Sequence, residues 1–316
     1  MSYRIKTHGS IADDLRRVAD EEIAAALAEL ESIDHGDIAE AIHETRKHCK
    51  KLRALVHLLR EPLGAKRVRA EEASYRDTGR KFQRLRDAQA MAATLDKLAK
   101  RFFETRRPPI VLAARQILAA EERDACRALE RQKVLAAVLA DLREARARAA
   151  AWKIDEFRWK HLAAALRRSY RRARGAWREA CAEPKPRRLH AWRRRTKDLW
   201  YHVTLARNAA PDFMEELAGE LEVLGEFIGD DHDLLVLRKA LVDHPRQVPA
   251  GPAREALFDI IALRREELLG AAFDLAGRVF AETPGEFLRA LEARRHVQRQ
   301  RHKKADRAAA RLSAIG

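Results

Sequence analysis

Apolar positions recur three and four residues apart along almost the whole chain, the period of an α-helix with one buried face. The first such segment runs from near Ser10 to Glu31, with Ile11, Leu15, Val18, Ile23, Leu27 and Leu30 at helical spacing. His35-Gly36 interrupts it. Asp37, with Glu40 three residues on, is placed to open a second helix as a capping box. Pro62-Leu63-Gly64 ends that helix, and a third covers about 66–105 before Pro108-Pro109. The fourth takes about 110–149 and is rich in Ala and Leu. Asp155 is a cap for the fifth, which reaches Cys181 ahead of Pro184 and Pro186. The sixth spans about 187–208 and is stopped by Pro211; the seventh spans about 212–243. The eighth follows a linker from Pro245 to Pro252 and closes before Thr283-Pro284-Gly285. No run alternates Val, Ile, Thr or Tyr in the manner of a strand. The pattern predicts an all-α protein.

One polar face is unusual. At roughly 100° per residue, His43, Arg46, Lys47, Lys50, Arg53 and His57 fall within an arc of about 120°. Ile42, Cys49, Leu52, Leu55, Val56 and Leu59 gather on the opposite side. Glu44 is the one acid between His43 and Arg60. A helix face that merely meets water normally mixes signs for i,i+4 support, so this concentration of cations predicts an anion site. Close to half the chain later the stripe recurs: His190, Arg193, Arg194 and Lys197 occupy the same four angles, and Trp200 stands where Arg53 would be. After the first stripe comes Leu85-Arg86-Asp87, and at nearly the same distance after the second comes Gly229-Asp230-Asp231-His232-Asp233. Matching features at one offset indicate an internal duplication. The expected organisation is two tandem four-helix bundles, residues 1–150 and 151–285, related by a pseudo-two-fold axis, with a basic tail at 286–316. Two stripes related in this way can face each other across a basic central groove or pore, a slot for a long anion.

Charge and composition narrow the partner without naming it. Lys and Arg number 64 against 48 Asp and Glu, for a net +16 and a pI near 10.1. Such a surplus favours nucleic acid, a phosphate polymer or a membrane surface. Cys49, Cys126 and Cys181 are few and widely spaced, in keeping with idle thiols in a reducing compartment. The N-terminal residues lack the apolar stretch of a signal peptide, and no apolar run approaches the 18 or so residues of a membrane span. A soluble, cytoplasmic protein is expected.

The chain resembles the CHAD family, named for a histidine-containing α-helical domain that binds inorganic polyphosphate. The likeness rests on Ala41-Ile-His43-Glu-Thr-Arg46-Lys47 with Lys50-Lys51-Leu52-Arg53, and on Leu85-Arg86-Asp87-Ala-Gln. In the second half it rests on Leu166 to Arg174, on Leu189-His190 through Tyr201, on Gly229 to Asp233, and on Phe280 to Phe287. It covers about 10–290. The resemblance implies two four-helix bundles with basic helices lining a central groove, and polyphosphate as the ligand. By position, it assigns binding to His43, Arg46, Lys47, Lys50, His190, Arg193, Arg194 and Lys197, with Arg53, Arg86, Arg171, Arg174 and His232 as secondary contributors. It also implies a stand-alone, non-catalytic module with no cofactor, associated with polyphosphate granules and polyphosphate-metabolising enzymes. If the histidines gain charge on protonation, binding should tighten below about pH 6.5.

Two other readings share these residues. A nucleic-acid-binding protein would use the same basic surface together with tail residues from Arg294 to Arg311. Trp152, Trp159, Trp177, Trp192 and Trp200 would then stack on bases, although tryptophans at helical spacing are more often packing residues. A metal-dependent phosphohydrolase would use His232-Asp233 with Asp230 and Asp231. No further ligands at suitable spacing accompany them, and the alternative is a helix-start cluster of acids holding arginines. No metal or catalytic residue is therefore expected.

Overall fold

A computed structural model describes residues 3–6, 9–33, 38–103, 106–131 and 133–313. The predicted Asp37 cap lies outside the described residues. Within them the chain forms eleven α-helices, one short 3-10 turn at Arg207–Ala209 and no strand. The helices are α1 (Ile11–Glu31), α2 (Ile38–Leu58), α3 (Arg60–Arg80), α4 (Gln83–Phe102), α5 (Pro109–Arg131) and α6 (Val134–Ala150). They continue as α7 (Trp159–Ala182), α8 (Pro186–Leu205), α9 (Pro211–Val242), α10 (Pro252–Val279) and α11 (Pro284–Ser313). None is long and apolar enough to cross a membrane, among the described residues.

Local chemistry sets most of these boundaries. The Ser10 hydroxyl accepts from the Asp13 N–H at 3.3 Å and opens α1. Proline starts α5, α8, α9, α10 and α11, where its fixed φ suits the first turn and its missing N–H is not needed. The third predicted helix is in fact two. Gly64, at φ 75°, ends the short turn after α2 inside α3, and a second break at Lys81-Phe82 sinks the Phe82 ring into the core and begins α4. The fourth also divides, at Lys133, which adopts φ 51° between α5 and α6. Thr283-Pro284-Gly285-Glu286 both stops one helix and starts another. The Thr283 N–H donates to Glu286 at 2.7 Å and the Glu286 N–H to the Thr283 hydroxyl at 3.3 Å, a capping box. The expected basic tail is thus α11, anchored by buried Phe287 and Leu291.

Neighbours in sequence pack together: α1 on α2, α2 on α3, α4 on α5, α7 on α8, α8 on α9 and α9 on α10, while α6 returns to α1 and α11 lies on α7. The two stretches of chain meet where α2 packs on α8 and α4 on α9. Their apolar residues form one continuous core across residue 150, and a smaller cluster joins α4 and α5 to α9 and α10. Trp192, fully buried, stacks on Phe273 at 5.2 Å, and Trp152 is fully buried with its N–H on Glu71 at 3.4 Å. Trp177 packs on Phe280, while Trp159 and Trp200 lie under Arg295 and Lys197. All five serve packing or hold a cation.

Candidate anion-binding groove

The two stripes approach each other where α2 meets α8, beside the contact of α4 with α9. Burial of Ile42, Cys49, Leu52, Leu55 and Val56 fixes the rotation of α2, so its cations turn outward. Lys50 is the meeting point. The residue keeps an exposed surface, while protein atoms and neighbouring cations crowd around its side chain. That burial, and then Arg46, Arg86, Arg193 and Lys197, push its pKa down to about 7. Cations from α2, α4 and α8 therefore act together on one amine, which brings members of the two stripes within reach of each other's charge.

The surrounding side chains are held in place. Arg46 donates to the Gly79 carbonyl and to Gln83 Oε1 at 3.2 Å; Gln83 donates to Asp87 at 2.6 Å. Asp87 pairs with Arg86 at 3.1 Å, and Arg86 reaches Asp233 of α9 at 3.9 Å. Burial and then Arg86 hold the Arg46 pKa below its usual range, with Asp87 opposing. Burial lowers Arg193 as well; Asp233 opposes and Arg86 adds to the lowering. Burial and Arg193 lower Lys197, while Glu222 and Glu226 hold it up. The rings of His190 and His232 stand 5.3 Å apart. Both are pushed below the ordinary imidazole range, first by burial and then by Arg193. Gln83, Arg86, Asp87, His232, Asp233 and Val236 line a cavity of about 120 Å³ between α4 and α9. Crowding like charges costs energy in the free protein, more so away from bulk water, and a polyanion relieves it. The Nε–H groups of Arg53 and Arg193 are buried donors without a hydrogen-bond partner, at a cost of about 1–3 kcal/mol each.

The other expected residues fall into three groups. His43 and Arg194 are exposed on the same helices, and Lys47 is paired with Glu44 at 2.6 Å. Arg53 bonds Glu72 of α3 at 3.2 Å, which takes up part of its charge. Arg171 is exposed on α7, and Arg174 donates to the Phe280 carbonyl at 2.9 Å, closing the end of α10. Neither is among the strongest charges acting on Lys50, Arg193, Lys197 or His232. The structure gives Arg174 a capping contact at the end of α10.

The acids following Gly229 do not start a helix; they lie well inside α9. Each meets a cation: Asp230 with Lys97 at 3.0 Å, buried Asp231 with Arg265 at 2.8 Å, and Asp233 with Arg86. Among the described residues, no group of three or more His, Cys, Asp or Glu side chains is arranged to hold a metal ion.

A family model described as the CHAD domain matches residues 17–242. The chain belongs to the CHAD family. The crystal structure of the CHAD domain from the plant Ricinus communis is similar over 94% of this chain and 95% of that one, with a TM-score of 0.51 and 17% identity. The likeness of fold thus continues past the end of the family match. Among curated proteins no significant match was found.

Within this CHAD domain, two positioning residues escaped the sequence reading. A Cβ on Gly225 would stand 2.9 Å from Lys197 Cε, and one on Gly229 would stand 3.5 Å from Arg193 Nε. The bare backbone of α9 at these neighbouring turns lets the two cationic stems of α8 lie against it. Glycines inside a helix are the available signal, but their use depends on which helix packs there.

Proposed function

We propose that this protein binds inorganic polyphosphate, without catalysis, in the groove between its two basic stripes. The observation that carries the reading is Lys50, around which Arg46, Arg86, Arg193 and Lys197 gather. A chain of phosphates offers one anion per unit at regular spacing and no bases to recognise, so a row of fixed cations is a sufficient receptor. Guanidinium groups hold phosphate oxygens in pairs, and lysines contribute point charge. The packing of α2 on α8 and α4 on α9 supports reading the chain as a duplication whose stripes face each other. The structural use of all five tryptophans weighs against a base-stacking surface. Association with polyphosphate granules, or with enzymes that act on polyphosphate, belongs to the same proposal.

Titration with polyphosphates of graded length at two salt concentrations tests it. Affinity should rise with length and then level off, and each neutralised phosphate should contribute about 0.7 to the slope of log K against log salt. Arg46→Gln/Arg193→Gln should lower affinity at least tenfold while the far-ultraviolet circular dichroism stays unchanged. Equal affinity for the variant, or RNA that polyphosphate fails to displace, would overturn the reading.

A further inference from the structure

A second cationic cavity lies beside the groove and is not part of it. It measures about 250 Å³ and is lined by Lys97, Arg101, Asp230, Leu234, Arg264 and Leu268, from α4, α9 and α10. Lys97 lies eleven residues after Arg86 on α4. At roughly 100° and 1.5 Å per residue, that places it on the same face, about 16 Å further along the helix. Asp230 joins the two places, for it acts on Arg193 of the groove and contacts Lys97 at 3.0 Å.

The cations of this cavity exceed its acids. Glu267 is shared, accepting from Arg101 at 2.9 Å and from Arg264 at 2.8 Å, so neither guanidinium has a carboxylate to itself. Arg101 and Lys97 are largely exposed, at 51% and 69% of the side chain. Exposed pairs of this kind contribute about 0–1 kcal/mol, and a phosphate chain carrying several charges readily replaces them.

We propose that Lys97, Arg101 and Arg264 form a second phosphate subsite, along which a long polyphosphate continues out of the groove over the seam of α4 and α9. The proposal rests on the polyphosphate reading of the groove. It assigns the two places different ligands: short chains fill the groove alone, and long chains occupy both.

Binding of tripolyphosphate and of long-chain polyphosphate to the full-length protein, followed by calorimetry, separates these roles. Lys97→Gln/Arg101→Gln should leave tripolyphosphate affinity within about twofold, lower long-chain affinity roughly three- to tenfold, and cut the long-chain salt slope by about 1.4. Glu267→Gln frees Arg101 and Arg264 and should act in the opposite direction, tightening long-chain binding severalfold and leaving tripolyphosphate unchanged. Loss of both ligands to the same extent, or no change with long chains in either variant, would overturn the subsite. The Arg46→Gln/Arg193→Gln variant keeps the two ideas apart: if it binds both lengths as the parent does, the groove reading itself has failed.

Discussion

Lys50 owes its chemistry to its neighbours, not to its own sequence position. A lysine ordinarily titrates near 10.4, and burial together with four cations brings this one to about 7. A bound polyanion reverses the sign of that surrounding field and returns the amine to its charged form. Proton uptake on binding follows: above about pH 7 the complex holds a proton that the free protein lacks, so affinity should fall as pH rises, by up to tenfold per unit. Calorimetry in buffers of different ionisation enthalpy reads that proton directly, and Lys50→Arg should abolish the uptake while preserving binding. For His190 and His232, burial and Arg193 move protonation to more acidic conditions, so the tightening expected below pH 6.5 keeps its sign and sets in at lower pH. Gly225 permits a second test at this scale. Ala there favours the helix by about 0.5–1 kcal/mol, yet its Cβ displaces Lys197. Gly225→Ala should therefore keep or raise the melting temperature while weakening polyphosphate binding severalfold.

Where helices meet, one buried histidine holds three of them. His202 of α8 donates from Nε2 to the Ala54 carbonyl of α2 at 2.7 Å and accepts the Ser169 hydroxyl of α7 at Nδ1 at 2.8 Å. The charged ring could keep both contacts, since the Ser169 hydroxyl can also accept, so it is burial that disfavours protonation. Burial pushes its pKa down to about 4, so the unfolded chain takes up a proton near pH 6.5 that the folded chain refuses. The strut's stability is complete above pH 6.5 and declines as pH falls towards 4, by about 3 kcal/mol over that window. Urea unfolding at pH 7 and pH 5 should show the decline, and His202→Gln should flatten it at the expense of stability at pH 7. Element boundaries carry a similar lesson. Thr283 to Glu286 satisfies the capping pattern, and the sequence therefore contained the start of α11. The break at Phe82 had only Gly79 three residues before it as a signal, and the break at Lys133 had neither proline nor glycine, so tertiary packing decided them.

The whole molecule carries a net charge of +16, and several of its cations are crowded around Lys50. Acids of α9 and α4 offset part of that crowding: Asp87 and Asp233 pair with Arg86, and Asp230 with Lys97. Since a ligand that binds only the folded state stabilises it by mass action, polyphosphate at 100 times its dissociation constant should add about 2.7 kcal/mol to unfolding. A thermal melt should show that gain, and Arg46→Gln/Arg193→Gln should lose most of it. A shift of equal size in the variant would place the ligand elsewhere on the basic surface.

Helical periodicity, proline and the angular sorting of charge determined the all-α class, the two stripes and their chemistry, because each depends only on residues within a few turns of one another. Which stripe faces which depended on contacts between distant segments. Only the tertiary structure set α2 against α8 and α4 against α9, gathered four cations on Lys50, and turned Arg174 to the end of α10. Local spacing fixes the face a side chain occupies, whereas its partners are chosen by the packing of a core that runs through both halves of the chain.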